Sequence, residues 1–229
     1  MTSARDQILA GVRGALGRGE LSAAKRGALE RRLRHPKPNV IPARGQLAKD
    51  QQIQLFIDEA ERISATTARL ASWDLVPGAV AAYLKANNLP AEVTVAPDPL
   101  LKDIPWDRAP LLAARLGLQA AADIRVSVTG VFAAIAETGT LMLLSGPDSP
   151  TSLNFLPDTH IACVPTSRVV GAYEDGFAWL RAERGVGTMP RVVNMITGQS
   201  RTADIEQILL LGAHGPRWLH ILLIDEPAV

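Results

Sequence analysis

The chain has 229 residues, of which 47% are hydrophobic and 21% are charged, so its composition predicts a folded protein and excludes a disordered one. No run of about 18 apolar residues occurs, and no apolar signal core follows the first residues, which predicts a cytoplasmic protein with no membrane span. The single cysteine, Cys163, excludes an internal disulfide and a cysteine-based zinc or iron–sulfur site in this chain. The four histidines lack helical ligand spacing, so no metal site is predicted.

The N-terminal part is basic and helical. Residues 1–50 hold eleven basic and four acidic residues, and the rest of the chain is net acidic. Apolar spacing predicts one helix around Ile8 to Leu16, capped by Thr2-Ser3, and a second from Leu21 to Leu33. Prolines at 36, 38 and 42 then predict an extended linker. We therefore predict an arm over residues 1–42 and a domain over 43–229.

Two interpretations of the arm's charge stay open. It could dock on an acidic partner or on nucleic acid, or it could be a solvated helix face. No aromatic residue is interleaved with the basic ones, which argues against nucleic acid.

The domain alternates helices and apolar strands. The patterns predict helices over 47–63, 76–86, 111–122, 169–184 and 202–211, and strands over 66–70, 92–96, 124–128, 135–136, 141–144, 160–164, 192–196 and 219–224. Nearly continuous apolar strands separated by helices predict an α/β fold with a mostly parallel sheet covered by helices on both faces. Ligands of such sheets bind beyond the carboxyl ends of the strands.

One candidate site follows the strand at 192–196. A helix beginning near Thr202 would offer free backbone N–H groups to an anion, and neighbouring side chains could add hydroxyls and a guanidinium. The alternative is that a hydroxyl in this segment only caps the helix. The residues predicted to hold a small anionic substrate here are Gly198, Ser200, Arg201, Thr202 and Asp204.

The second candidate is the turn from Glu137 to Thr140. Glu137 could serve as a general base or a nucleophilic carboxylate, or could be an ordinary charged residue in an exposed turn. Thr138, Gly139 and Thr140 would complete a substrate site beside it. His214, in a turn expected on the amino-terminal side of the sheet, is a further predicted substrate-binding residue, and His160 is interpreted as structural.

Four ordered motifs, AIAETGTL at 134–141, LPDTHI at 156–161, TGQSRTADIE at 197–206 and GAHGP at 212–216, resemble the lactate-utilisation protein C family (LutC/YkgG type), defined by the LUD domain. The resemblance covers nearly the whole chain and departs at Gln199, where the family is expected to have proline. It implies a NagB/RpiA/CoA-transferase-like fold.

The resemblance also implies a role in L-lactate oxidation to pyruvate beside two iron–sulfur proteins, with no cofactor in this chain and the clusters in the partners. Two functions stay open. The chain could be a component of that system, positioning a small carboxylate, or a free-standing enzyme of the CoA-transferase-like superfamily with Glu137 as the reactive carboxylate. Neither nucleic-acid binding nor a membrane span is expected, and a homodimer is left open.

Overall fold

The computed structural model describes residues 3–17, 19–37, 40–117, 124–185, 187–202 and 210–226. The chain divides into two units, Met1–Asn39 and Val40–Val229. Each unit is described by itself.

The first unit contains two helices, α1 (Ala4–Ala15) and α2 (Ala23–Arg34). Each begins at a serine whose hydroxyl accepts a backbone N–H: Ser3 from Asp6 at 3.2 Å, and Ser22 from Lys25 at 3.3 Å. This is the usual way in which serine satisfies a free donor at a helix start. Neither helix contains a buried residue, so their apolar side chains are solvated within this unit.

The second unit contains four helices and twelve strands in the described ranges. The helices are α3 (Lys49–Arg62), α4 (Val76–Ala86), α5 (Ser152–Phe155) and α6 (Tyr173–Arg184). The strands are β1 (Thr66–Leu70), β2 (Glu92–Val95), β3 (Ala113–Leu116), β4 (Val126–Gly130), β5 (Ala133–Ile135), β6 (Thr140–Leu144), β7 (Thr159–Pro165), β8 (Val169–Val170), β9 (Val193–Thr197), β10 (Arg201–Thr202), β11 (Leu210–Leu211) and β12 (Trp218–Ile224). None of the described helices is both long and apolar enough to cross a membrane.

The main sheet has six strands in the order β1-β12-β7-β4-β2-β3, and every pairing in it is parallel. Strands β7 and β12, both interior strands of this sheet, are almost wholly buried, which explains why their sequences are largely apolar. Helix α4 packs on one face of this sheet and α3 on the other. The predicted α/β class, with a parallel sheet between helices, is therefore confirmed.

A second sheet has the order β8-β5-β6-β9, with β6 antiparallel to both of its neighbours. One face shares a core with α3 and the main sheet, and the other packs against α6. The expectation that both candidate segments leave strands of the parallel sheet is wrong. They follow β5 and β9, which belong to this smaller sheet. The apolar sequence of a strand indicates that the strand is buried, but it does not indicate which strand it pairs with.

Three predicted helices are corrected. Over 111–122, the described part forms β3, which extends the main sheet by parallel pairing with β2. The segment 169–184 begins as strand β8, because Val169 and Val170 pair with β5, and the helix starts at Tyr173. The helix over 202–211 is wrong at both ends, where Arg201–Thr202 and Leu210–Leu211 pair as antiparallel strands. Residues 203–209 lie outside the described ranges.

Candidate functional site

A cavity of about 210 Å³ lies at the amino-terminal edge of the main sheet, where β7 and β12 begin. Its fourteen lining residues come from both sheets and from the turns beside them, in the segments 154–155, 160, 195–201, 214–216 and 219. The cavity therefore lies at the edge opposite to the one where ligands of parallel sheets usually bind. It contains no carboxylate among these fourteen residues, whereas Arg201 and two histidines line it. Such a lining favours a small anion over a cation.

The 197–201 segment is joined to the turn before β12 by three hydrogen bonds. The backbone N–H of Ser200 donates to the carbonyl of Pro216 at 2.9 Å, and the N–H of Gly212 donates to the Ser200 carbonyl at 3.0 Å. The Ser200 hydroxyl accepts the N–H of His214 at 3.2 Å. The structure thus brings Gly198, Ser200 and His214 to one cavity. The Ser200 N–H is already used, and Thr202 lies in strand β10. Residues 203–209, over which the predicted helix would run, lie outside the described ranges, so the helix-terminus anion site stays a prediction.

Helix α3 ends against the same segment. The guanidinium of Arg201 donates to the backbone carbonyl of Ile63, the residue that caps α3. Gly198 has φ of +75°, and a β-carbon there would lie 2.9 Å from that same carbonyl oxygen. Gly198 is therefore required by close backbone approach, and Arg201 both stabilises the helix end and lines the cavity.

Glu137 lies outside this lining. Only 4% of Glu137 is exposed, and its carboxylate accepts the backbone N–H of Tyr173 at 3.1 Å, at the first turn of α6. A carboxylate is favoured there because the helix end carries partial positive charge. The guanidinium of Arg44 donates to the Glu137 carbonyl. The exposed-turn interpretation is thus wrong. Attack on a CoA thioester would require this carboxylate to leave its place, so the burial does not favour the nucleophile hypothesis.

A chain of hydroxyl groups connects the Glu137 turn with the cavity. The Tyr173 hydroxyl lies 3.1 Å from that of Thr138 and 2.9 Å from that of Thr140. The Thr140 hydroxyl lies 2.7 Å from that of Thr197, which lines the cavity. Thr140 and Thr197 are also paired residues of β6 and β9. The two segments singled out in the sequence therefore meet, with Tyr173, which the sequence did not indicate, joining them.

His160 is one of two buried polar residues in the cavity lining, and the other is Asn154. His160 is fully buried, and its Nε2 lies 2.7 Å from the hydroxyl of Thr129. Its Nδ1 has no hydrogen-bond partner among the residues that the structure describes. Burial lowers the pKa of His160 to about 4, so the ring is neutral at neutral pH. The sequence predicts only a structural role for His160, because a histidine in an apolar strand gives no sign of an unsatisfied ring atom.

The remaining predicted residues are distributed as follows. Gly139 packs against the backbone of α3, with φ of +63°. Thr202 is buried in β10. Asp204 lies outside the described residues, so its predicted role stays a prediction. Within the described ranges, no three His, Cys, Asp or Glu residues cluster as a metal site would require.

A six-stranded parallel sheet joined to a smaller mixed sheet, with a small polar cavity lined by both, defines residues 40–229 as a two-sheet α/β domain. The chain belongs to the LUD domain family, whose model matches residues 53–224. A crystal structure of a DUF162 family protein from Deinococcus radiodurans has the same fold, with a TM-score of 0.58 and 22% identity over 78% of this chain and 99% of that one.

Three curated relatives share the same name. Lactate utilization protein C of Bacillus licheniformis is 37% identical over 122 residues, covering 53% of this chain and 50% of the relative. The protein of the same name from Bacillus subtilis is 36% identical over 110 residues, covering 48% and 46%. One from Geobacillus thermodenitrificans is 37% identical over 113 residues, covering 49% and 47%. The chain thus spans about half the length of the curated relatives it matches.

Proposed function

We propose that this protein serves L-lactate utilisation, as a component or accessory of an iron–sulfur-dependent system that oxidises L-lactate to pyruvate. The observation that carries the proposal is its similarity to proteins named Lactate utilization protein C, together with its membership of the LUD domain family. In this proposal, the role of this protein within the system is to bind the small carboxylate substrate.

The size and the charge of the cavity support this substrate-binding role. Its volume of about 210 Å³ lies below the roughly 300–1,000 Å³ of typical ligand pockets, which suits a three-carbon acid better than a nucleotide. Arg201 supplies positive charge, while Met195, Ile196 and Leu219 supply apolar surface for a methyl group. Lactate has a carboxylate and a methyl group, for which Arg201 and this apolar surface are the counterparts in the lining.

The proposal divides the chemistry between chains. Oxidation of L-lactate to pyruvate releases two electrons and two protons, and the iron–sulfur partners are the proposed electron acceptors. The one cysteine here, Cys163, is fully buried, and burial with the nearby Asp98 charge raises its pKa to about 12. It is therefore a poor thiolate donor for a cluster. The basic arm is the proposed docking element for an acidic surface of a partner.

Deletion of the gene from the source organism is expected to abolish or severely slow growth on L-lactate as the sole carbon source. Growth on pyruvate should be unaffected, because the block would lie before pyruvate. Restoring the gene should restore growth on lactate. Normal growth of a deletion strain that has no second lactate oxidase would overturn the pathway assignment.

Replacement of Arg201 by alanine is expected to reduce lactate-dependent growth in the restored strain more than it reduces stability. Loss of the donor to the Ile63 carbonyl should lower the free energy of unfolding by about 1 kcal/mol. Loss of the cavity's positive charge should weaken carboxylate binding by about tenfold. Arg191→Ala is the matched control, because Arg191 is exposed and is not among the lining residues. Equal growth of both variants, with unchanged melting temperatures, would count against a role for Arg201 in binding.

A further inference from the structure

A second cavity, of about 380 Å³, lies at the carboxyl-terminal edge of the main sheet. Its lining includes residues that follow three neighbouring strands: Asp98 to Leu100 after β2, Phe132 after β4 and Arg168 after β7. Ligands of open parallel sheets usually bind at this edge, whereas the cavity described above lies at the other one. The volume falls within the roughly 300–1,000 Å³ of typical small-molecule pockets.

The connections of the main sheet change direction between β2 and β4. From β2 the chain continues to β3 on one side, whereas the next strand of this sheet after β4 is β7, on the other side. Two segments that leave neighbouring strands in opposite directions open a crevice between the strand ends, and ligands of α/β sheets bind in such crevices. The second cavity is lined by residues that follow both strands. Sheet topology and cavity position therefore indicate the same place.

Two side chains of opposite charge, Asp98 and Arg168, line this cavity without pairing. Both residues are half-buried, and neither belongs to an ion pair within the described part of the chain. The Asp98 carboxylate accepts the N–H of Leu100 at 2.9 Å, and the Arg168 guanidinium donates to the Val131 carbonyl at 2.8 Å. The guanidinium also lies 6.0 Å from the centroid of the Trp179 ring. Each charge is thus held in place by the protein and retains capacity for a ligand.

The surroundings of these two charges are shaped by a glycine and by apolar side chains. A β-carbon on Gly130, the last residue of β4, would lie 2.6 Å from Oδ2 of Asp98, so glycine is what allows this carboxylate to lie against the strand end. Phe132 and Leu144 are buried residues of the lining and offer apolar surface. The other charged residues of the lining are exposed, so solvent screens them: Asp148, Glu183 and Arg184.

We propose that this second cavity binds a free amino acid with an apolar side chain, with its carboxylate at Arg168 and its ammonium group at Asp98. A zwitterion satisfies both charges, whereas a simple anion would pair with Arg168 and be repelled by Asp98. The apolar side chain would pack on Phe132 and Leu144. The inference goes beyond the proposed function, because lactate carries no cationic group and its proposed site lies at the other edge of the sheet.

Three compounds with the same branched alkyl chain test the inference by calorimetry on the full chain at neutral pH. L-Leucine carries both charges, isocaproate carries only the carboxylate, and isoamylamine carries only the ammonium group. The wild-type protein should bind L-leucine about tenfold more tightly than either of the others, because only leucine can pair with both side chains. Equal affinity for leucine and isocaproate, or no binding of leucine at millimolar concentration, would overturn the inference. This comparison does not depend on the folding of any variant.

Two conservative variants assign the charges. Asp98→Asn keeps an oxygen for the Leu100 N–H, and Arg168→Gln keeps a donor for the Val131 carbonyl, but each removes one charge. Asp98→Asn should weaken leucine binding about tenfold without weakening isocaproate, and Arg168→Gln should weaken both. Asp103→Asn is the matched control, because Asp103 is exposed and is not among the lining residues. Leucine affinity that is the same in the wild type, Asp98→Asn and Arg168→Gln would exclude this site.

The same titration of Arg201→Ala separates the two cavities. Arg201 lines only the first cavity, so leucine binding should be unchanged in this variant. Loss of leucine binding in Arg201→Ala but not in Asp98→Asn would place the amino acid in the first cavity and overturn the inference. The pathway role is decided separately by growth of the deletion strain on lactate.

Discussion

Gly139→Ala is expected to lower the free energy of unfolding by about 3 kcal/mol. Gly139 has φ of +63°, a conformation that costs an L-residue about 1–2 kcal/mol. A β-carbon at this position would also lie 2.5 Å from the backbone nitrogen of Ala60 and 2.8 Å from the carbonyl carbon of Glu59. These are main-chain atoms of helix α3, which cannot rotate away, so the turn and the helix would have to separate. Urea denaturation followed by circular dichroism measures the change.

Gly187→Ala is the matched control for backbone strain. Gly187 has φ of +81°, but no heavy atom lies within 4 Å of the position of a β-carbon. This substitution should cost only about 1 kcal/mol, from the unfavourable backbone conformation. Equal losses of stability in the two variants would show that the close approach of Gly139 to α3 contributes nothing.

Lowering the pH from 7 to 5 is expected to destabilise the protein through two buried histidines. Burial lowers the pKa of both His160 and His220 to about 4, against about 6.5 in an unfolded chain. Between these values the unfolded state binds more protons than the folded state, so stability falls as the pH falls from about 6.5 toward about 4. Each histidine should account for about 2 kcal/mol of the loss between pH 7 and pH 5.

Histidine variants separate this effect from the titration of carboxylates. The double variant His160→Gln, His220→Gln should lose about 4 kcal/mol less than the wild type over the same change in pH. The double variant should also be less stable than the wild type at pH 7, because it loses the stacking of the His220 ring on Tyr83, at 4.1 Å between centroids. If the double variant lost as much stability between pH 7 and pH 5 as the wild type, the two histidines would not be the cause of that loss.

Much of the domain could be predicted from local patterns. The helices at Lys49–Arg62 and Val76–Ala86 and the strands β7 and β12 follow the apolar patterns expected for them, because each helix buries one face and each strand buries both faces. The prediction of a helix at the edge strand β3 was wrong. Its described residues are mostly exposed and are held by main-chain pairing with β2. Main-chain pairing depends little on the types of the side chains, so the sequence does not reveal it.

The candidate site was predictable only in part. The sequence indicated Gly198, Ser200, Arg201 and His214, and the structure brings all four to one cavity. It did not indicate His160, because the unpaired Nδ1 depends on the position of Thr129, 31 residues earlier. Nor could it reveal that the Glu137 carboxylate accepts an N–H from Tyr173, 36 residues later. Such long-range pairings are decided by tertiary packing.

The position of the cavity between the two sheets has a consequence for folding. Its walls come from segments around residues 155, 198 and 215, so no single hairpin or helix pair contains the whole site. The site is complete only after the smaller mixed sheet has docked on the parallel one. Any molecule that binds there binds the fully assembled domain and not a partly folded form, so its binding free energy adds to native stability by mass action. The free energy of unfolding would then rise with the concentration of that molecule.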